Sequence, residues 1–357
     1  MPIEKGTGMW LDASEKVHAP EIEGQWIGSG KVTLRGMRGR VTLVDFWDYT
    51  CVNCLRTLPY LKEWDRRYRD LGLTVIGVHS PEFHFARGAE HVGRAVRELD
   101  IEYPVVLDNE FQTWHAYANR CWPAKYLVDC KGYVRYYQLG EGFYEETEDA
   151  IRKLLLEVNP KVSLPPFMEP VRETDMLGAR CVPVTPELYL GFERGRLGNE
   201  AGYVINAVSD YRAGSGYASD MAYLDGPWFS GRESITACPL DGRPSRLLAS
   251  CRAAEINLVM SALESGEAAL NIAMDAKPVP RSEAGEDVSW VDGRSVICVS
   301  EPRMYRLIKS AKVQPRLVEL STSAPGLEAF AFTFVSCVDG RLSSSPRTKG
   351  AEAQLAD

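Results

Sequence analysis

The stretch Val41-Thr-Leu-Val-Asp-Phe-Trp47 is β-branched and apolar enough to be a strand buried on both faces. It ends four residues before Cys51-Val-Asn-Cys54, and a helical pattern begins at once, from Val52 to Leu71. Leu55, Leu58, Leu61 and Tyr68 keep roughly to one face, Pro59 should kink the helix, and Gly72 sits where a C-cap belongs. A buried strand that hands two cysteines to a helix N-terminus restricts both fold and chemistry. Cysteine there faces unpaired N–H groups and the positive end of the helix dipole, which lowers its pKa from the usual ~8.5. The thiolate is the nucleophile of disulfide exchange. Cys51, one residue outside the helix, is therefore expected to be the exposed attacking thiol. Cys54, one turn in, is expected to be shielded and to resolve the mixed disulfide.

The flanking sequence continues the alternation of strand and helix. Strands are predicted at Leu73–His79 and Pro104–Asp108, and helices from His84 to Leu99, Phe111 to Asn119 and Glu145 to Val158. Ala124–Asp129 and Gly132–Leu139 read as a hairpin turned at Cys130-Lys-Gly. This order predicts an α/β fold, a mixed central sheet with helices on both faces, over residues 22–160 after an N-terminal extension at 1–21. Residues 161–183 are proline-rich and read as a linker. From 184 to 338 the rhythm changes to short β runs divided by Gly, Pro, Asp and Ser, which predicts an all-β sandwich or jelly roll. Residues 339–357 read as a disordered tail.

With 41 basic and 49 acidic side chains the net charge is −8, so nucleic acid and anionic membranes are poor partners. The longest apolar runs are strand-sized, such as Ala329–Val335, so no membrane insertion is expected. The first residues lack the basic start and apolar core of a signal peptide, which as written predicts a cytoplasmic protein. An extracytoplasmic place is the alternative if the true start lies upstream. The cysteine count is nine, so at least one thiol has no partner within the chain. In a reducing cytosol Cys181, Cys238, Cys251, Cys298 and Cys337 read as strand-face or core thiols, Cys130 as an incidental turn residue, and Cys121 as a buried small hydrophobe or a third working thiol.

The segment Val44-Asp-Phe-Trp-Asp-Tyr-Thr-Cys-Val-Asn-Cys54 resembles the thioredoxin superfamily signature, in which an acidic residue precedes the CxxC by six positions. The resemblance implies that Asp45 is a buried carboxylate of raised pKa that relays the Cys54 proton. It also implies that Trp122-Pro123 is the family's cis-proline loop, which offers backbone groups to the substrate. With Trp47, Val52 and Asn53, the pair Trp122 and Pro123 makes up the expected substrate-binding set. The helix added between Pro81 and Asp100 resembles the TlpA/ResA-like branch. Tyr49-Thr-Cys-Val-Asn-Cys-Leu-Arg, Val75–Phe83, Tyr103–Asn109 and Trp122–Asp129 resemble the soluble C-terminal region of DipZ-type cytochrome c biogenesis proteins. Thr185–Phe192, Gly226-Pro-Trp and Pro302–Ile308 resemble that family's carbohydrate-binding-module-like β-sandwich. In that branch some relatives place a glutamate three residues after the second cysteine, where this chain has Thr57.

These readings predict a thiol–disulfide oxidoreductase with no bound cofactor and no metal, the redox centre being the cysteine pair. Its partners would be protein dithiol or disulfide substrates and an electron-donor thiol protein. A CxxC can also be half of a zinc site, but no second CxxC is present to complete four ligands. A thiol peroxidase is the rival reading; its motif calls for Thr or Ser three residues before the reactive cysteine, where Asp48 stands. A glycan- or partner-binding protein with a redox-sensitive scaffold is another, with Tyr189, Trp228 and Trp290 as candidates for a sugar-stacking platform.

Overall fold

The computed structural model describes residues 8–11, 17–28, 31–176, 179–262 and 266–338. The tail at 339–357 and part of the N-terminal extension lie outside the described residues. The chain divides into two compact units. The first is residues up to Val171 with the short pieces Val259–Ser261 and Ser300–Met304, and the second is the remainder.

The first unit is built on seven strands: β1 (Met9–Trp10), β2 (Gln25–Ile27), β3 (Val41–Trp47), β4 (Leu73–His79), β5 (Val105–Leu107), β6 (Ala124–Val128) and β7 (Val134–Leu139). Their order across the sheet is β1-β7-β6-β3-β4-β5-β2. β3, β4 and β5 run parallel, and β6, β7, β1 and β2 are antiparallel to their neighbours. All seven residues of β3 are buried, as a central strand covered on both faces must be. The helices are α1 (Val52–Tyr68), α2 (Ala89–Glu98), α3 (Gln112–Ala116) and α4 (Tyr144–Val158). The mixed sheet and its helices form a thioredoxin-like fold.

Two apolar clusters lie on the two faces of the sheet. Leu43, Trp47, Leu58, Leu61, Trp64, Tyr103 and Leu127 belong to one, and Val44, Phe46, Ile76, Trp114 and Tyr126 to the other. The alternation along β3 thus places Trp47 and Asp45 on the same side of the sheet as α1. Each fully buried Leu or Phe contributes roughly 1.5–3 kcal/mol. α1 ends in a short 3-10 turn, Arg69–Leu71, closed by Gly72 at φ +110, a backbone angle that glycine adopts without strain. The predicted helix from His84 is broken. Residues His84–Arg87 form a 3-10 turn, Gly88 turns extended, and α2 starts at Ala89.

The proline-rich stretch begins as a strap on the first unit rather than a free tether. Leu164 and Met168 pack on the core beside α1 and α4. The Met168 N–H donates to the buried Glu148 carboxylate at 3.0 Å, and the Val171 N–H donates to the Tyr60 hydroxyl at 3.2 Å. The Pro165 and Pro166 carbonyls accept from Arg152 and Arg67. Proline removes donors but keeps acceptors, so the two prolines are held through their carbonyls by arginine and the residues after them through their N–H groups.

The second unit is all β. The sequence pattern predicts short β runs here, whereas Ser245–Ala262 and Arg303–Thr322 are single strands of 18 and 20 residues, all but Val259–Ser261 and Arg303–Met304 lying in this unit. In the strand Met221–Ser230 the first half pairs with Arg246–Ser250 and the second half with Ile235–Ala237. The change of partner falls at Gly226, where φ is +81 and a Cβ would meet the Pro244 carbonyl oxygen at 2.4 Å. Cys181 and Cys337, read from sequence as free thiols, form a disulfide instead. They are register partners in a two-stranded antiparallel sheet, with Cα atoms 4.1 Å apart. Separation by 156 residues hid this pairing from any local pattern. No helix among the described residues is long and apolar enough to cross a membrane.

Candidate functional site

Cys51 is the N-cap of α1, with extended backbone angles (φ −82, ψ 114), and its Sγ accepts the Cys54 N–H at 3.2 Å. The two Sγ atoms are 2.7 Å apart, as unbonded thiols. Capping by sulfur satisfies one of the orphan N–H groups of the helix and holds Cys51 in a field that favours its anion. Cys54 is 1% exposed, and burial together with the Cys51 side chain pushes its thiol well above the ordinary value. Hydrogen bonding from the Asp48 backbone pulls the other way. The electrostatics therefore separate the pair: Cys54 holds its proton more tightly than an ordinary thiol.

Cys51 is less open than the sequence suggested. It is 6% exposed and belongs to the same apolar cluster as Tyr49 and Leu58, against which Leu55, Phe85 and Trp122 pack. Trp47 is a clearer correction: it is completely buried, edge-on to His79 with centroids 5.3 Å apart, and cannot present a face to an incoming chain. Its place on a strand covered on both sides is the reason. Val52 is also buried, whereas Asn53 is half-buried and its carbonyl accepts the Thr57 hydroxyl at 2.9 Å.

The Trp122–Pro123 peptide bond is cis. Trp122 is partly buried, donates its Nε1–H to the Ser80 carbonyl at 2.9 Å, and stacks at a tilt on Trp114 at 4.4 Å. Ser80 in turn donates its N–H to the Trp47 carbonyl, so the loop is tied to the end of β3. Gly140 closes the other side, its N–H donating to the Pro123 carbonyl at 2.8 Å. Cys121 is partly buried in this loop, its thiol pushed up by burial.

Asp45 is buried on the α1 side of β3, and neither carboxylate oxygen has a hydrogen-bond partner. Burial raises its pKa to about 7, with the Lys125 charge opposing the rise. Lys125 was missed from sequence. It is the register partner of Asp45 on β6, is itself fully buried, and donates from Nζ to the Gly140 carbonyl at 3.3 Å. A lysine inside the run Ala124–Val128, where every residue is buried, was the available signal. A second missed residue is Asp48, which is fully buried at the entrance to the cysteine loop. The main-chain N–H of Glu82 donates to the Asp48 carboxylate.

In the second unit the three aromatic residues do not form a free stacking face. Trp228 is buried and donates Nε1–H to the Asp225 and Arg246 carbonyls. Tyr189 and Trp290 each carry a guanidinium over the ring, from Arg194 at 3.6 Å and Arg281 at 4.3 Å.

The sequence is similar to several known proteins. Residues 16–137 match the AhpC/TSA family, and residues 185–334 match the family described as thioredoxin like C-terminal domain. Protein DipZ of Mycobacterium tuberculosis and of Mycobacterium bovis is 32% identical over 325 residues, covering 88% of this chain. The chain spans 42% of the length of those proteins. Thiol-disulfide oxidoreductase YkuV of Bacillus subtilis is 29% identical over 141 residues, covering 39% of this chain and 94% of that protein. A solved structure titled as a thiol-disulfide isomerase from Corynebacterium glutamicum is 26% identical, covers 38% of this chain and 96% of that one, and has a TM-score of 0.36.

Proposed function

We propose that this chain, an AhpC/TSA-type thioredoxin-like unit joined to a thioredoxin like C-terminal unit, is a thiol–disulfide oxidoreductase acting on protein disulfides. The observation that carries the reading is the cysteine pair at the start of α1, sulfurs 2.7 Å apart, with the first capping the helix. The Cys51 thiolate attacks a substrate disulfide, forming a Cys51–substrate disulfide and releasing one substrate thiolate. The Cys54 thiolate then attacks Cys51 Sγ, forming the Cys51–Cys54 disulfide and releasing the second substrate thiolate. Two electrons pass from the pair to the substrate. Asp45, with a pKa near neutrality, takes the proton that Cys54 gives up. The cis Trp122–Pro123 loop and Asn53 present backbone groups to the substrate chain.

No bound cofactor enters this scheme; a donor dithiol protein returns the pair to its reduced state. The Cys181–Cys337 disulfide favours an extracytoplasmic compartment, because disulfides persist where the surroundings are oxidising. The second unit is read as a recognition module for a partner or glycan, and the packed aromatics argue for a partner surface other than a stacking platform.

Reduction of insulin disulfides, with dithiothreitol as donor, tests the enzyme reading. Cys51→Ser should abolish it, and Cys54→Ser should accumulate a Cys51–insulin mixed disulfide. An inactive wild type sinks the proposal, and trapping by Cys51→Ser alone reverses the two roles. The AhpC/TSA match favours thiol peroxidase as a second reading, which predicts rapid consumption of hydrogen peroxide by the reduced wild type.

A further inference from the structure

Four residues, Asp48–Cys51, connect β3 to α1 and carry no secondary structure of their own that would hold them still. Their fixity comes from Asp48. Its Oδ1 accepts both the Thr50 N–H and the Thr50 hydroxyl, each at 2.6 Å. Its Oδ2 accepts the Glu82 N–H at 2.8 Å, 34 residues along the chain, in the loop after β4. Its own carbonyl accepts the Cys51 N–H at 3.2 Å. The side chain is completely buried, and so is the ring of His79, whose Nε2 lies 3.7 Å from Oδ2. Burial drives the His79 pKa down to about 3, so the imidazole is neutral and is no counter-ion; burial also pushes the Asp48 carboxyl up, and the hydrogen bonds from Thr50 and Glu82 oppose that rise. Tyr49 stacks on the same ring at 5.6 Å.

We infer that Asp48 is a positioning residue for disulfide exchange, clamping the cysteine loop to the loop after β4 so that the two sulfurs stay within reach of each other. The inference rests on the exchange chemistry proposed above. Three donors converge on two oxygens, so the clamp is specific to a carboxylate. An amide in its place has one acceptor and turns an N–H pair toward either Thr50 or Glu82. The energy at stake is that of ordered geometry. The Cys51–Cys54 disulfide forms within one chain, and its equilibrium against an external thiol measures how well the loop keeps the sulfurs together. A loosened loop weakens that closure and leaves the first attack by Cys51 nearly untouched, because the attack needs only one sulfur.

The test is a titration of the full chain in glutathione redox buffers, with the Cys51–Cys54 disulfide scored by alkylation. Asp48→Asn should lower the equilibrium constant for ring closure about tenfold, a potential about 30 mV less reducing. It should also prolong the Cys51–glutathione mixed disulfide. In a Cys54→Ser background the same substitution should change the rate of Cys51 attack by less than about twofold, a separation that general destabilisation would not produce. Thr50→Val removes one of the three donors and keeps the fold if Asp48→Asn does not; it should shift the constant in the same direction by about two- to threefold. Unchanged ring closure in both variants overturns the inference, as does an equal loss in closure and attack. Wild-type protein that fails to reduce insulin overturns the functional reading instead, while the glutathione titration still reports on Asp48.

Discussion

Asp45 and Lys125 stand opposite each other in register across β3 and β6, both fully buried, with Asp45 unpartnered at either oxygen and Lys125 holding the Gly140 carbonyl. Other charged or titratable groups acting on the pair are Glu141, Cys54, Cys121 and Tyr103. Glu141 is itself bound to Arg56 at 2.8 Å. An acid and a base buried side by side under the cysteines share their charge states, so each sets the other's proton affinity.

Lys125→Met should therefore raise the Asp45 pKa further above about 7 by removing the charge that opposes burial. The folded-state pKa already exceeds the ordinary carboxylate value of 3.8, so the native state binds the Asp45 proton more tightly than the unfolded chain does. Stability linked to this group is present at low pH and lost as pH rises through the folded pKa. The variant should lose more stability at pH 8.5 than at pH 5.5, by about 1.4 kcal/mol for each unit of added shift. Denaturant melts at the two pH values measure it, and an equal loss at both contradicts the coupling.

Gly77→Ala should destabilise the first unit by about 1–3 kcal/mol through overpacking. Gly77 is the register partner of Asp45 on β4, and a Cβ there would lie 2.9 Å from Trp47 Nε1 and 3.2 Å from the Tyr103 ring. Both rings are buried and have no free direction to move. Urea unfolding gives the size of the loss, and a wild-type midpoint would show that the rings yield.

Cys337→Ser should cost about 2–5 kcal/mol of stability by releasing a 156-residue loop. The same loss should appear when wild type is melted in dithiothreitol, and the variant should be insensitive to the reductant. Intact mass under denaturing, non-reducing conditions, with alkylation of free thiols, counts the bridge directly. Full alkylation of all nine cysteines without reductant would contradict it.

Glu148→Ala should release the strap at residues 164–171. The carboxylate accepts from Tyr68 and from the Met168 N–H, with Arg67 at 3.8 Å. It is 2% exposed, so truncation removes the acceptor of the Tyr68 hydroxyl and of the Met168 N–H, at a cost of about 1–3 kcal/mol for each group left unsatisfied. Faster protease cleavage between Leu164 and Val171 would report the release, and unchanged cleavage would show that Leu164 and Met168 hold the strap without the carboxylate.

The sequence alone determined the strand, cysteine pair and helix, because each depends on residues close in the chain. The all-buried run of β3, the α1 periodicity and the glycine at 72 need only local pattern to be read. The division into an α/β half and an all-β half was legible for the same reason. Tertiary structure decided what surrounds the cysteines. Trp47 points into the core because neighbouring elements cover both faces of its strand. Lys125 meets Asp45 because β6 returns antiparallel beside β3, 80 residues later. Asp48 reaches Glu82 through a loop that β4 places beside it. Cys181 finds Cys337 only when the last described strand pairs with a strand 156 residues earlier. Periodicity records which face of an element is buried; it does not record what lies against that face. Partners of buried charge and sulfur are fixed by register between distant strands, and only the folded chain sets that register.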